Sequence, residues 1–349
     1  MEKRRSRRVK VGNIYIGGGE KITVQSMLNT PASDIEGSVK QAVELEKAGC
    51  EIIRAAVPDM AAVKLIEKLK ENLTVPVVAD IHFDYRLALA SLDAGVDKIR
   101  INPGNIGSME RVMAVANACK AKQVPIRIGV NSGSLEKELL QKYGSPCAEA
   151  LAESAMKHIS MLEQCDFNDI IISIKSSSVS TMIDAYRLVA AKCDYPLHLG
   201  VTEAGTHNMA LIKSSIGIGS LLLDGIGDTI RVSMTDDPVN EVSAANGILK
   251  AIGLKTDCPD IVSCPTCGRT KINLIALANE VESRLSGCKK NIKVAVMGCA
   301  VNGPGEAREA DIGIAGGDGC ALIFKKGEII CKVPENEALD RLLEEIEKL

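Results

Sequence analysis

The sequence contains no tryptophan and very few other aromatic residues. Phe, Trp and Tyr together make up 2% of its 349 residues. Proteins that bind single-stranded nucleic acids stack the bases on such side chains. The formal net charge of −3 also provides no general attraction to a phosphate backbone. We therefore expect no nucleic-acid partner.

Long apolar segments are absent as well. A membrane-spanning helix needs about 20 consecutive apolar residues, and no uninterrupted run reaches that length. Residues 3–10 carry six Lys or Arg, but the glycines and polar residues of 12–20 stand where a secretory signal requires an apolar segment. We expect the basic run to be a solvated arm, and the protein to be cytoplasmic without a membrane partner.

The 12 cysteines are interpreted as reduced thiols rather than as a disulfide framework. Three of them form the strongest local signal: Cys264-Pro-Thr-Cys267, and Cys299 at the start of a Gly-Pro-Gly loop that ends at Glu306. Thiolates at this spacing suit an iron–sulfur cluster or zinc. All four histidines lie upstream, so the Glu306 carboxylate is the nearest fourth ligand.

Other interpretations of these thiols stay open at this point. A single C-x-x-C pair is also typical of structural zinc, of a dithiol redox pair, or of two unrelated buried cysteines. Further cysteines of the same region are alternative fourth ligands: Cys258, Cys288, Cys320 and Cys331.

Short β-branched runs alternate eight times with amphipathic helical segments, which predicts βα units. The predicted strands are 21–27, 51–57, 75–80, 98–102, 125–130, 169–175, 197–203 and 229–234. The predicted helices are 34–48, 59–71, 84–94, 108–122, 148–164, 179–191, 205–222 and 238–252. Eight units in about 250 residues favour an α/β fold of the closed (β/α)8 TIM-barrel type.

The ends of the chain receive separate predictions. Residues 9–24 are expected to form a hairpin that turns at Gly17-Gly18-Gly19, and residues 254–263 a linker. A smaller α/β unit follows. Its predicted helices are 271–286 and 335–349, and its predicted strands 292–297, 311–315, 320–326 and 328–333. We therefore predict a substrate-binding barrel over 1–254 and a metal-cluster domain over 255–349, in which the first helix stabilises the adjacent thiolates.

Five predicted barrel strands carry a cation at or near the carboxyl end, where active sites of such barrels lie. They are Arg54, Arg100, Arg127, Lys175 and Arg231. A single one could point outward into a salt bridge, but five equivalent positions favour an inward ring for an anionic ligand. Arginine binds phosphate oxygens in bidentate fashion, so the ring favours a diphosphate over a lone carboxylate.

Other polar residues accompany the cations at the strand ends. Each has a plain structural alternative, such as a hydrogen-bonded pair for Asp80 and His82 or turn chemistry for Asn131. His158, His198 and His207 are given no functional role. The polar candidates are Asp80, His82, Asn102, Asn131, Thr202, Glu203 and Ser233.

Six runs of this sequence resemble the 4-hydroxy-3-methylbut-2-enyl diphosphate synthase family, the iron–sulfur enzymes of the methylerythritol phosphate route to isoprenoids. The resemblance covers nearly the whole chain. The runs are Val24-Gln-Ser-Met27, 78–83, 99–105, 126–131, 263–269 and 297–306.

The resemblance implies a [4Fe–4S] cluster on Cys264, Cys267, Cys299 and Glu306, and reductive ring opening of 2-C-methyl-erythritol 2,4-cyclodiphosphate. It implies flavodoxin or ferredoxin as the electron donor, and Glu203 as the group that supplies a proton. The positions that match the family's substrate contacts are Arg54, Asp80, His82, Arg100, Asn102, Arg127, Asn131, Lys175, Thr202, Arg231, Ser233 and Asn302.

The short linker between the two predicted domains favours a dimer. The last predicted barrel helix ends about 20 Å from the active-site face, at ~1.5 Å per residue. Residues 253–263 reach at most roughly 35 Å. We therefore expect the cluster domain to cover the barrel of a partner subunit, in a head-to-tail homodimer.

Two other classes of function remain open from the residues alone. The first is a redox sensor or carrier in which the barrel is only a scaffold, although this leaves the cations unexplained. The second is a barrel transferase or aldolase with Lys175 as a Schiff base and zinc as a structural metal.

Overall fold

The computed structural model describes residues 3–300 and 307–349. The chain divides into two compact units, Met1–Leu254 and Lys255–Leu349. Within the described residues, none of the helices combines the length and apolar character that a membrane crossing requires. That the first unit binds substrate and the second a cluster stays a prediction.

Eight parallel strands form the barrel of the first unit, in the order β8-β7-β6-β5-β4-β3-β10-β9. A parallel bridge between Ile172 and Leu197 brings the two end strands together and leaves the ring nearly closed. The TIM-barrel prediction is confirmed. The strands are β3 Thr23–Met27, β4 Ile52–Ala56, β5 Val77–Asp80, β6 Lys98–Ile101, β7 Ile126–Asn131, β8 Ile170–Lys175, β9 His198–Leu199 and β10 Thr229–Ile230.

Helices follow each barrel strand and cover its outer face with branched apolar side chains. Two short helices, α4 and α6, were not predicted; Asn102 caps α4 and Pro103 begins it, which suits a helix start. The helices are α1 Ile35–Lys47, α2 Val63–Asn72, α3 Tyr85–Asp93, α4 Pro103–Ile106, α5 Met109–Lys122, α6 Lys137–Tyr143, α7 Ala148–Glu163, α8 Val179–Ala190, α9 His207–Leu223 and α10 Pro238–Ala251.

The hairpin near the N-terminus has a different turn from the predicted one. Strands β1 (Val9–Val11) and β2 (Ile14–Ile16) pair antiparallel around the two residues Gly12 and Asn13, not around the glycines of 17–19. Gly12 has a φ of 56°, a conformation that tight hairpin turns require. The hairpin packs against inward-facing side chains of β4, β5 and β8, and so closes the amino end of the barrel.

The prediction of a solvated arm holds only in part for the basic run of residues 3–10. Four of its six basic residues are exposed, but two are half-buried. The Arg4 guanidinium donates to the main-chain oxygens of Ala190, Cys193 and Tyr195. Arg7 pairs with Asp194 at 2.7 Å. Six cations in eight residues resemble a charged tail, but Arg4 binds carbonyl groups and Arg7 a carboxylate at and just after the end of α8.

The second unit has a five-stranded sheet in the order β11-β12-β13-β14-β15. The predicted linker 254–263 contains the first strand of this sheet, which pairs parallel with β12. The strand is only four residues long and has polar residues at both ends, so its sequence resembles a linker. The helix predicted from 271 begins only at Leu274, capped by Asn273. The elements are β11 Asp260–Ser263, α11 Leu274–Arg284, β12 Lys293–Met297, β13 Ile312–Gly317, β14 Cys320–Lys325, β15 Glu328–Pro334 and α12 Ala338–Glu347.

Candidate anion-binding site and cysteine region

The barrel interior contains a group of basic side chains, of which four are buried and two are half-buried. Side chains alternate between the faces of a strand. Ile99 and Ile101 of β6 pack under the helices, and Lys98 and Arg100 therefore point into the barrel. The same alternation directs cations of β4, β7, β8 and the segment after β10 inward. These six side chains form what we call the basic cluster: Arg54, Lys98, Arg100, Arg127, Lys175 and Arg231.

Asp80, the last residue of β5, lies between two of these cations and is fully buried. Its Oδ2 accepts from Arg54 Nη2 at 2.5 Å, and its Oδ1 accepts from Arg100 Nη1 at 3.2 Å. Nε2 of the half-exposed His82 lies 3.5 Å from Oδ2. Burial opposes ionisation, but the charges of Arg54 and Arg100 hold the pKa of Asp80 well below its ordinary value. Asp80 is therefore a carboxylate.

Arg231 has its own counter-ion. Its guanidinium donates to both carboxylate oxygens of Glu241, at 3.2 to 3.3 Å. Glu241 lies on α10 and also accepts from Ser26 and from the main-chain nitrogen of Met234. This ion pair fixes the segment after β10, where the half-buried Ser233 follows two residues later.

Arg127 is the largest fully buried side chain among the described residues, and most of its guanidinium has no partner. Its one hydrogen bond, from Nη1 to Gln25 Oε1, is long at 3.5 Å. In the part of the chain that the structure describes, Arg127 Nε and Nη2, Lys98 Nζ and His198 Nδ1 lack hydrogen-bond partners. Buried polar atoms are costly when unpaired. The interior is therefore suited to a ligand rich in acceptor atoms.

Gly129 makes room for one of the guanidiniums. A Cβ atom at this position of β7 would lie 2.4 Å from Nε and Nη2 of Arg100. At the end of the same strand, the Asn131 amide satisfies both of its polar atoms when its oxygen accepts from Arg100 Nη2 at 3.2 Å. The run Arg127-Ile-Gly-Val-Asn131 thus supplies a cation, a space and an amide on one face of β7.

Strands β8 and β9 are held apart where they reach the mouth of the barrel. The Tyr186 hydroxyl of α8 accepts from the main-chain nitrogen of Ile174 at 2.9 Å and donates to the His198 carbonyl. Beyond this point a small cavity is lined by Lys175, Arg231 and their neighbours. Burial, followed by the charge of Arg54, lowers the pKa of Lys175 well below its usual value.

The remaining polar candidates lie at the carboxyl ends of the strands. Asn102 is buried and accepts from Gly104 N at 3.1 Å, which orients the start of α4. Thr202 is half-buried after β9, and Glu203 beside it is exposed. Glu203 has a φ of 51°, which is unusual for a residue other than glycine. Strained backbone of this kind is concentrated at functional sites.

The cysteines of the second unit follow adjacent parallel strands. Cys264 comes directly after β11, and Cys299 follows β12 by two residues. The main-chain nitrogen of Gly298 donates to Cys264 Sγ at 3.1 Å, and Lys271 N donates to Gly298 O at 2.9 Å. The backbone and side chain of Arg269 lower the pKa of the exposed Cys267 thiol. Local hydrogen bonds therefore favour a thiolate here, and a contribution from the dipole of α11 stays a prediction.

These thiols offer soft donors at one sheet edge, which suits a thiolate-bound metal or cluster. Among residues 3–300 and 307–349, however, no three His, Cys, Asp or Glu side chains are close enough together to hold a metal ion. Two of the predicted residues, Asn302 and Glu306, lie outside the described residues. The ligand set stays a prediction.

Several residues of the site were not predicted from the sequence. Lys98 precedes Arg100 by two positions, so the strand period would have placed it on the inner face. His198 was given no role, yet its ring lies inside the barrel, where burial and the charge of Arg127 lower its pKa well below the usual value. Gln25 and Gly129 carry no charge, so no charged side chain marks these positions in the sequence as part of the site.

A parallel barrel whose interior carries an incompletely neutralised basic cluster defines a TIM-barrel protein whose interior is suited to an anionic ligand. More particularly, the chain belongs to the GcpE family. Residues 6–246 match the GcpE TIM-barrel domain, and residues 260–348 match the GcpE protein C-terminal domain.

Curated relatives align with the chain from end to end. A protein of Clostridium perfringens is 60% identical over 349 residues, which is 100% of both chains. One from Geobacillus thermodenitrificans is 53% identical over 100% of this chain and 93% of its own. Both carry the name 4-hydroxy-3-methylbut-2-en-1-yl diphosphate synthase (flavodoxin).

Solved structures of dihydropteroate synthases share the barrel. The enzyme of Stenotrophomonas maltophilia has 14% identity and a TM-score of 0.53, over 71% of this chain and 98% of its own. That of Yersinia pestis has 15% identity and a TM-score of 0.51, over 70% and 97%. At such identity the likeness concerns the fold alone.

Proposed function

We propose that the basic cluster binds the diphosphate group of the substrate in the reaction of this family. The observation that carries the proposal is the uncompensated charge of the interior. Four arginines face two carboxylates, Asp80 and Glu241, and several guanidinium nitrogens lack partners among the described residues. A diphosphate offers many acceptor oxygens and negative charge, and arginine forks match it.

The protein is an oxidoreductase of isoprenoid biosynthesis. It reductively opens the ring of 2-C-methyl-D-erythritol 2,4-cyclodiphosphate and removes water to give 4-hydroxy-3-methylbut-2-enyl diphosphate. This agrees with the name of relatives that are 53 and 60% identical to it. A flavodoxin supplies the electrons in reactions of that name, and ferredoxin is a second donor of the same kind.

Individual residues of the barrel have different tasks in this reaction. Arg54 and Arg100, held by Asp80, bind phosphoryl oxygens, and Arg127, Lys175 and Arg231 complete the set of cations. Asn102, Asn131, Thr202 and Ser233 orient the hydroxyl groups and the ring, and His82 donates to the ligand from the mouth. Glu203 carries the proton that the leaving hydroxyl group needs, because its carboxyl is exposed at the strand ends.

The cofactor is a [4Fe–4S] cluster held by Cys264, Cys267, Cys299 and Glu306. When bound, it supplies two electrons one at a time. The hydrogen bonds around Cys264 and the lowered pKa of Cys267 support thiolate ligands in this region. Asn302, in the same loop as Glu306, is assigned to the substrate. The assembly is a head-to-tail homodimer, because the linker between the two units is short.

Anaerobic purification tests the cofactor. A brown protein with absorbance near ~400 nm and bound iron is expected, whereas a colourless protein with zinc would contradict it. The Glu306→Ala variant should still assemble the cluster but lose most of its turnover of the cyclic diphosphate with reduced flavodoxin. Full activity of this variant would remove Glu306 from the proposal.

The phosphate site is tested separately, by binding of 4-hydroxy-3-methylbut-2-enyl diphosphate to Arg127→Met. Loss of a charged hydrogen bond costs about 1.5–3 kcal/mol, so the affinity should fall roughly 10- to 100-fold. Arg86→Met is the matched control, since Arg86 is exposed and pairs with Asp84 on α3. Equal affinities in the two variants would contradict the proposed site.

A further inference from the structure

Lys98 is the member of the basic cluster for which the reaction above has no use. Its side chain is 0% exposed, and it lies two residues nearer the amino end of β6 than Arg100. Within the described residues, its Nζ has no hydrogen-bond partner. An ammonium group in this position would therefore have no exposed surface and no hydrogen-bonded counter-ion among the described residues, which is one of the costliest arrangements in a protein interior.

The groups around Lys98 offer little compensation, since the charge of Asp97 alone favours an ammonium there. Arg54 of β4 and Arg127 of β7 repel a charge there, and His198 lies on the facing strand β9. Val78, beside it on β5, is apolar. Asp80 is engaged by Arg54 and Arg100.

The nearest carboxylate in sequence, Asp97, also has other partners. It binds Lys70 Nζ at 2.6 Å and Val77 N at 2.8 Å. Burial, followed by the charges of Arg127 and Arg54, outweighs the smaller opposite effect of Asp97 and lowers the pKa of Lys98 well below its ordinary value. Since arginine does not lose its proton in proteins, only the two lysines of the basic cluster can adjust their charge. Lys98 is buried, whereas Lys175 is half-buried at the end of β8.

We propose that Lys98 is uncharged in the ligand-free barrel and takes up a proton from solvent when the linear diphosphate product occupies the basic cluster. The inference rests on the proposed function. Each phosphorus of a cyclic diphosphate diester carries one ionised oxygen. Ring opening creates a terminal phosphate with a further ionisable oxygen, whose pKa is about 6. The product therefore carries more negative charge than the substrate, and a neutral amine below the site can balance it.

The first test needs no ligand. Lys98→Met keeps the length of the side chain and removes the amine, so the variant should unfold at a higher temperature than the natural protein at neutral pH. If the folded pKa is lowered, the unfolded chain binds the extra proton, and the stability of the natural protein rises with pH up to about 10.4. The difference in melting temperature should therefore shrink between pH 7 and pH 10.

Lys64→Met is the control for this test, because Lys64 is exposed on α2. It should show no such pH-dependent difference. A Lys98→Met difference that stays constant from pH 7 to pH 10 would overturn the proposal, whether or not any diphosphate binds.

The second test measures protons directly. The full-length protein is titrated with 4-hydroxy-3-methylbut-2-enyl diphosphate in a calorimeter, in buffers of different ionisation enthalpy at one pH. The natural protein should take up on the order of one proton more per site than Lys98→Met. Equal uptake in both proteins, or loss of the uptake in Lys175→Met instead, would overturn the assignment to Lys98. If the product binds neither protein, the proposed function fails, and the first test still decides the charge of Lys98.

Discussion

Single residues set the electrostatic balance of this barrel. Period-two alternation puts Lys98 and Arg100 on one face of β6, and Asp80 at the end of β5 neutralises part of the resulting charge. The remaining charge makes the interior a poor core and a suitable site for an anion, because buried charge is stable only when paired. The basic side chains that favour anion binding therefore lower the stability of the ligand-free barrel.

Replacement of Asp80 by Asn should show how much the stability depends on a counter-ion for these basic side chains. The amide keeps the shape but leaves Arg54 and Arg100 without their counter-ion, so the free energy of unfolding at pH 7 should fall by about 3–5 kcal/mol. The pKa of Asp80 is lowered in the folded protein. Its contribution is therefore fully present above the unfolded value of about 3.9 and is lost as the pH falls.

Denaturant unfolding of Asp80→Asn and the natural protein at pH 7 and near pH 3.5 measures this effect. The difference between them should narrow at the lower pH. Asp93→Asn is the control, since Asp93 forms an exposed ion pair with Lys122 and should cost about 1 kcal/mol or less. A difference for Asp80→Asn that is as small as the control's would contradict the prediction.

Gly129 should be sensitive to the smallest possible side chain. In Gly129→Ala the new methyl group meets the Arg100 guanidinium at 2.4 Å, and the buried guanidinium must leave Asp80. Overpacking costs typically about 1–3 kcal/mol, and product affinity should fall together with stability. Gly133→Ala, four residues later with open space around its Cβ position, should leave both quantities unchanged. Unchanged product affinity in Gly129→Ala would show that Arg100 does not need its observed place.

At the scale of elements, the sequence predicts whatever depends on local pattern. Eight of the ten helices described in the barrel unit follow from apolar periodicity, and the apolar runs locate β3 to β8 well. The last two strands were predicted over 197–203 and 229–234 but are only two residues long. No local sequence pattern indicates that the Tyr186 hydroxyl of α8 binds Ile174 N and the His198 carbonyl, in place of main-chain hydrogen bonds between β8 and β9.

Other misses have the same origin. β11 is four residues long and only partly buried, so its sequence resembles a linker until β12 pairs with it. The three consecutive glycines of 17–19 are a stronger turn signal than the single glycine of Gly12-Asn13. The observed pairing of β1 with β2 nevertheless places the hairpin turn at Gly12-Asn13. In each case a contact distant in sequence decided between two locally acceptable structures.

Tyr186→Phe tests the contact that the Tyr186 hydroxyl makes between β8 and β9. The change removes a hydroxyl that binds Ile174 N and the His198 carbonyl, and it leaves both buried groups unpaired. The free energy of unfolding should fall by about 2 kcal/mol or more, and turnover should fall because Lys175 follows Ile174 directly. Denaturant unfolding and steady-state kinetics measure the two effects.

Tyr143→Phe is the matched control for this change. Its hydroxyl binds Glu153 in an exposed ion-pair group, so the loss should stay within about 0.5 kcal/mol. A Tyr186→Phe variant that is as stable and as active as this control would mean that the hydroxyl is not needed to hold the strands.

At the scale of the whole molecule, the question is which chain supplies each half of an active centre. The structure ends the barrel at α10, whose last residue is Ala251, and begins the second unit's sheet at Asp260. The eight residues between them span at most about 29 Å. This short connection is the basis of the head-to-tail homodimer that we propose.

Subunit mixing tests this arrangement. One chain carries Arg127→Met, which damages the barrel, and a second, differently tagged chain carries Cys267→Ser, which damages the cluster domain. In a head-to-tail heterodimer, one centre receives both defects and the other receives neither, so tandem-purified heterodimers should have about half of the natural activity. The matched control pairs a natural chain with a chain that carries both substitutions. Each centre then has one defect, and activity should be nearly absent. If every chain instead uses its own cluster domain, the two results are exchanged: the first heterodimer is inactive, and the control keeps half of the activity.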